Sequence, residues 1–170
     1  MAIVFLRHSA LPKSEQKRYH GWSDICIDEE LFDSTKVEKL KSMKFDLIIS
    51  SDLLRCRQTL DKMGLSYKVD DRLREICFKK EIEGKSFEEV EALESYSSEY
   101  LLCESTWHNY ICIESKDEFK SRLEEFLSEL PKNNILICSH KGAILEMLNI
   151  LGYKIKNIDY LEHIGVDSEL

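Results

Sequence analysis

Three short segments hold the residues best suited to chemistry. They are Arg7-His8-Ser9, Ser50-Ser51-Asp52 leading to Arg55, and Ser139-His140-Lys141-Gly142. Each lies at the end of a short apolar run, where a strand would stop. Gathered in one place, they make a pocket of two imidazoles and up to three cations. A phosphoryl group suits such a pocket. Arg presents a planar fork of donors that matches phosphate oxygens in pairs. A neutral imidazole is a competent nucleophile near pH 7, and neighbouring cations help to keep it neutral. A helix beginning near Gly142 would add backbone N–H donors for an anion.

The elements that must position these residues follow from the apolar pattern. Ala2–Leu6, Asp46–Ser50 and Ile135–Cys138 read as strands buried on both faces. Tyr67–Val69 is a weaker strand. Asp33–Met43 is expected to be a short helix. Ser51-Asp52 is expected to cap the helix that runs to about Met63, before Gly64. Ser86-Phe87-Glu88-Glu89 and Ser115-Lys116-Asp117-Glu118 are capping boxes. The first opens a helix to about Leu93, followed by a helical piece to about Cys103. The second opens a helix with Phe119, Leu123, Phe126, Leu127 and Leu130 on one face, stopped by Pro131. Gly142–Leu151 is a last helix, ended by Gly152. Arg7–Asp24 and Leu73–Gly84 read as irregular. Strand, loop and helix thus recur three times. This predicts an α/β three-layer sandwich with a mainly parallel central sheet flanked by helices. Ligands in such sheets bind beyond the carboxyl ends of the strands.

Composition narrows the classes. A chain of 170 residues suits one domain, taken as 1–170. Only 6 Gly and 2 Pro argue against linkers, collagen and a turn-dense β-sandwich. The net charge of −8 and the lack of a basic stripe argue against a nucleic-acid partner. No apolar run is long enough for a membrane span, and no secretory signal opens the chain. The six cysteines contain no CxxC and are read as reduced, in a cytoplasmic protein. No spacing of ligands suggests a metal or other cofactor.

At this point the motifs resemble those of the histidine phosphatase superfamily, the phosphoglycerate mutase-like family. Leu6-Arg7-His8-Ser9 is similar to its strand-Arg-His-Gly opening. Arg18 with Gly21-Trp22-Ser23-Asp24 resembles its Arg and Gly-Trp-x-Asp segment. Ser50-Ser51-Asp52-Leu53-Leu54-Arg55-Cys56-Arg57-Gln58-Thr59 resembles Ser-Ser-x-Leu-x-Arg-Ala-x-Gln-Thr. Leu73-Arg74-Glu75 with Glu83-Gly84, then Glu114-Ser115 with Arg122, and finally Ser139-His140-Lys141-Gly142 continue the series in the family's order. The resemblance implies that His8 attacks phosphorus to form a phosphohistidine. It implies that Arg7, Arg55 and His140 hold the phosphoryl oxygens, and that Glu75 serves as acid and then base.

The chain departs from the pattern at two glycines. Ser9 either crowds the pocket or adds a hydroxyl donor. Lys141 either binds a second anionic group or points to solvent. Arg18 and Gly21 are further candidates for substrate contact, Arg18 through a loop that either covers the phosphate or lies free. Arg57, His20, His108 and His163 are expected at the surface or in packing. Glu162–Val166 is the one candidate for a closing strand. The expected activity is metal-independent hydrolysis of a small phosphate ester. Hydrolysis is favoured over transfer because the chain has little room for a mutase's insertion. Alternatives are a mutase with the same intermediate and a non-catalytic phospho-ligand sensor. Homo-oligomerisation is not predicted.

Overall fold

A computed structural model describes residues 2–167. Its centre is a five-stranded sheet: β1 Ala2–Arg7, β2 Leu47–Ser50, β3 Lys68–Val69, β4 Ile135–Ser139 and β5 His163–Asp167. The order is β3-β2-β4-β1-β5, with only β5 antiparallel. The helices are α1 Glu38–Ser42, α2 Leu54–Met63, α3 Phe87–Glu91, α4 Glu104–Ile111, α5 Lys116–Ser128 and α6 Lys141–Ile150. The α/β sandwich expected from the apolar runs is the fold observed.

Alternate residues of the central strands feed opposite faces, as the strand period of two requires. Ile3, Phe5, Ile135 and Ile137 pack with Phe119, Leu123 and Phe126 of α5 and with Ile144, Met147 and Leu148 of α6. Val4, Leu6, Leu136 and Cys138 pack with Leu40 of α1 and with Cys56, Leu60 and Met63 of α2. A third cluster, Ile82, Val90, Ile111 and Cys112, is gathered largely from α3, α4 and the chain between the sheet and α3.

Several local expectations shift. The Asp33–Met43 helix divides into a 3-10 turn at Ser34–Val37 and the short α1. The helical piece before Cys103 is 3-10, at Ser98–Leu102. Helix α4 was not expected. Ser51 and Asp52 do not cap α2: Asp52 pairs with Arg74, and Asp24 instead accepts from the Leu54 N–H. Both capping boxes form as expected. The closing strand does lie near Glu162–Val166, shifted by one residue. All six cysteines are free thiols, with Cys56, Cys112 and Cys138 buried and Cys26 and Cys103 exposed. Among the described residues no helix is long and apolar enough to cross a membrane.

Candidate active site

Strand register builds the floor of the site. Arg7 pairs with Ser139 in the parallel β1–β4 ladder, so His8 and His140 emerge side by side from adjacent strand ends. Their ring centroids are 5.3 Å apart. Ser50 pairs with Cys138, which brings Ser51 and the start of α2 to the same edge.

His8 is 5% exposed, and its Nδ1 lies 2.7 Å from the Ser9 carbonyl. A carbonyl only accepts, so Nδ1 carries the hydrogen and Nε2 keeps its lone pair. Burial, then Arg55 and Arg7, push the His8 pKa well below the usual 6.5. His140 is 1% exposed, and its Nδ1 accepts from Arg55 Nε at 3.1 Å. Arginine has no lone pair, so His140 Nε2 carries the hydrogen and donates it to Ser51 Oγ at 2.9 Å. Burial first, then Arg55, also hold its pKa well below 6.5. Both rings are therefore neutral at pH 7, with defined tautomers.

The cations beside them lack anionic partners. Arg55, on the first turn of α2, is 1% exposed. It donates to His140, to the Ser23 carbonyl at 2.8 Å and to the Gly21 carbonyl at 2.7 Å, all neutral acceptors. Arg7 donates to the Ile158 carbonyl at 2.8 Å and lies over the Tyr160 ring, 3.9 Å from its centroid. Its Nε is buried with no partner, and burial lowers its pKa below the usual arginine range. Neither guanidinium forms an ion pair among the described residues. A desolvated, unpaired cation is costly, and an incoming anion relieves that cost.

Glu75 is held on the opposite side by main-chain donors. The Gly142 N–H, in the first turn of α6, donates to Oε2 at 2.8 Å, and the Ile76 N–H donates to Oε1 at 3.0 Å. A Cβ at position 142 would overlap Oε1, so glycine is needed there for this approach. The Glu75 carbonyl is clasped by Trp22 Nε1 and Arg122 Nη2. Arg122 also donates to the Arg72 and Arg74 carbonyls and pairs with Glu114. The Gly21-Trp22-Ser23-Asp24 segment is thus scaffolding: its carbonyls hold Arg55, Asp24 caps α2, and Glu83 accepts from the Gly21 and Ser23 N–H groups.

Arg7, His8, Arg18, Arg55, Glu75, His140 and Lys141 all line one cavity of about 230 Å³. Ser9 and Gly21 do not line it. Ser9 is fully buried, its N–H bonded to Thr59 Oγ1 and its Oγ without a partner. A Cβ on Gly21 would overlap the Ile76 carbonyl, so this glycine serves close packing. Arg18 borders the cavity, but its guanidinium is committed to Glu89 and to the Ser14 and Gly84 carbonyls. Lys141 is exposed. Sequence reasoning missed Glu15, Lys17, Tyr19, His20, Phe78 and Tyr160 on the walls. Tyr19 and His20 had a signal, since both sit inside the Arg18-to-Trp22 segment. Among the described residues no three His, Cys, Asp or Glu side chains gather as a metal site.

The arrangement can bind a tetrahedral oxyanion between two guanidiniums and a neutral imidazole lone pair, with a carboxylate facing it. Comparison with known proteins agrees with that chemistry. Solved structures of similar fold include TTHB049 from Thermus thermophilus, 25% identical with a TM-score of 0.74, covering 99% of this chain and 95% of that one. A phosphoglycerate mutase from Thermus thermophilus is 25% identical with a TM-score of 0.72, covering 99% and 94%. A mycobacterial glucosyl-3-phosphoglycerate phosphatase shares the fold at 21% identity, with a TM-score of 0.74 and coverage of 98% and 89%. No curated protein sequence matches the chain. The family model of the histidine phosphatase superfamily (branch 1) matches residues 3–167, from β1 through β5. With its paired histidines on adjacent strand ends, this chain belongs to the histidine phosphatase superfamily.

Proposed function

We propose that this protein is a metal-independent phosphomonoesterase that acts on a small phosphorylated metabolite through a phosphohistidine. The observation that carries the reading is the Nε2 lone pair of His8, set in a cavity beside two guanidiniums that have no carboxylate partner. His8 Nε2 attacks phosphorus, the P–N bond forms and the ester P–O bond breaks. The leaving oxygen takes a proton from the Glu75 carboxyl. Glu75 then takes a proton from water as that water attacks phosphorus and the P–N bond breaks. The proton on Glu75 is ready for the next ester, and His8 returns to its neutral form. Arg7 and Arg55 stabilise the charge spread over the equatorial oxygens, the part a metal plays elsewhere. His140, with Nδ1 on Arg55 and Nε2 on Ser51, serves by holding Arg55 in position, in place of the direct oxygen contact that the motif implies.

Hydrolysis of p-nitrophenyl phosphate with chelator present tests this, with wild type beside His8→Ala. Turnover that survives the chelator and is lost in the variant is expected. Activity unchanged in His8→Ala overturns the mechanism. The likeness to a phosphoglycerate mutase structure supports a second reading, phosphoryl transfer to another hydroxyl. Release of inorganic phosphate in proportion to ester consumed separates hydrolysis from transfer. Phosphate binding without any turnover would point to a sensor.

A further inference from the structure

The cavity has a second polar face that the proposed chemistry does not use. His20 lines it, yet its side chain is only 6% exposed. Its Nδ1 lies 3.4 Å from Ser23 Oγ. That hydroxyl donates its own hydrogen to Glu83 Oε1, so it can only accept from His20. Nδ1 therefore carries the hydrogen, and Nε2 is left as an acceptor. Nε2 stands 3.2 Å from Glu15 Oε2, yet it is buried with no hydrogen-bond partner. Two acceptors thus face each other across one wall of the cavity, one hydrogen short. Burial holds the His20 pKa below 6.5 despite Glu15 and Glu83, so the ring does not supply that hydrogen itself at pH 7. A buried acceptor left unmet costs about 1–3 kcal/mol, and the Glu15 carboxylate beside it, 36% exposed on the cavity wall, is the acceptor a ligand donor reaches. His20, Glu15 and His8 line the same cavity, so one bound molecule can reach both the pair and the nucleophile.

Resting on the phosphatase reading, we propose that Glu15 and His20 form a leaving-group subsite that takes a hydrogen-bond donor, a hydroxyl or an ammonium, and disfavours a second anionic group. The nearby cations do not reverse this preference. Arg18 is engaged by Glu89, and Lys17 and Lys141 are exposed at the rim. The substrate class is then a phosphate monoester of a polyol or an amino alcohol, in place of a bisphosphate or a phosphorylated acid.

The test is equilibrium binding by calorimetry to the full chain carrying His8→Ala, which stops turnover. The probes are glycerol 1-phosphate, phosphoethanolamine, propyl phosphate and 2-carboxyethyl phosphate. At least tenfold tighter binding of one of the first two than of propyl phosphate is expected, and the leader tells hydroxyl from ammonium. The carboxylated ester is expected to bind no tighter than propyl phosphate. Adding His20→Phe should shrink the tenfold margin below threefold, and Glu15→Ala should do the same if the first variant does not fold. Equal binding of the four esters, tightest binding of the carboxylated one, or a margin unmoved in both variants overturns the subsite and leaves the phosphate pocket standing. Failure of all four esters and of inorganic phosphate to bind overturns the phosphatase reading, and the subsite with it.

Discussion

At the scale of single residues, the placement of one hydrogen decides what His8 can do. The Ser9 carbonyl takes the Nδ1 hydrogen, so the lone pair is already on Nε2, as the proposed attack on phosphorus requires. Burial and two guanidiniums then keep the ring neutral. The acid limb of kcat/KM is therefore expected well below pH 6.5, because His8 loses its lone pair only when its depressed pKa is passed. Arg55→Met removes the larger charge contribution while leaving burial in place. It should move the limb upward toward pH 6.5 and lower kcat/KM by roughly 10²–10³-fold, the usual loss of an oxyanion donor. A wild-type limb at pH 6.5 that stays put in the variant would count against His8 as nucleophile. His8, Arg55 and His140 were legible in the sequence because each lies just beyond an apolar run, and strand ends converge in parallel sheets. Tyr160 was not. It reaches Arg7 only because the chain returns along β1, with the Leu161 N–H bonded to the Arg7 carbonyl at 3.2 Å. No local pattern encodes that return.

At the scale of elements, the proposed acid is positioned by a helix terminus. The Gly142 N–H and the absence of a side chain at residue 142 together fix the Glu75 carboxylate. In Gly142→Ala the new Cβ meets only the end of a flexible side chain, so Glu75 swings away and the fold persists. Thermal unfolding should shift by no more than a few degrees. Hydrolysis should fall by at least tenfold, within the roughly 10²–10⁴ that acid–base help supplies. A variant with normal kcat would show that Glu75 is not the acid. Arg122 acts one step further out. It reaches from α5 to three carbonyls of the segment that ends at Glu75, and its charge is met by Glu114. Arg122→Met leaves the Arg72 and Arg74 carbonyls without this donor and the largely buried Glu114 carboxylate without its counter-charge, and should destabilise by about 2–4 kcal/mol. Denaturant midpoints measure this, and a change under about 0.5 kcal/mol, the scatter of a surface site, would refute the clasp. The two capping boxes made α3 and α5 readable, since the partners of each reciprocal bond, Ser86 with Glu89 and Ser115 with Glu118, are close in sequence. Helix α4 was hard to read: Glu104–Ile111 is short, and its apolar face is only Trp107, Tyr110 and Ile111, of which Ile111 alone is buried. The cap of α2 was not legible because its true acceptor, Asp24, is supplied from 30 residues upstream.

At the scale of the whole molecule, the sheet gathers charge-averse groups at one edge, and that arrangement must show in stability. His8 and His140 are neutral in the folded state, with pKa values well below 6.5. The unfolded chain titrates them near 6.5. Between that value and the folded ones, the unfolded state binds protons that the folded state does not, so stability rises with pH. The contribution is complete above pH 6.5 and is lost as pH falls below it. Each histidine adds a slope of up to about 1.4 kcal/mol per pH unit. His20 and His163 shift in the same direction and add to the trend. Carboxylates such as Asp52, lowered by Arg74, lose their contribution only as pH falls to 3.8 and below, so the window from pH 6.5 to 5 belongs to the imidazoles. Urea midpoints at pH 7.5, 6.5 and 5.5 should therefore be flat over the first interval and fall over the second. His8→Asn, a neutral side chain that does not titrate, should remove roughly a quarter to a half of that fall, since four histidines share it. An equal fall in the variant would mean that His8 is protonated in the folded protein, and a protonated ring has no lone pair with which to attack phosphorus.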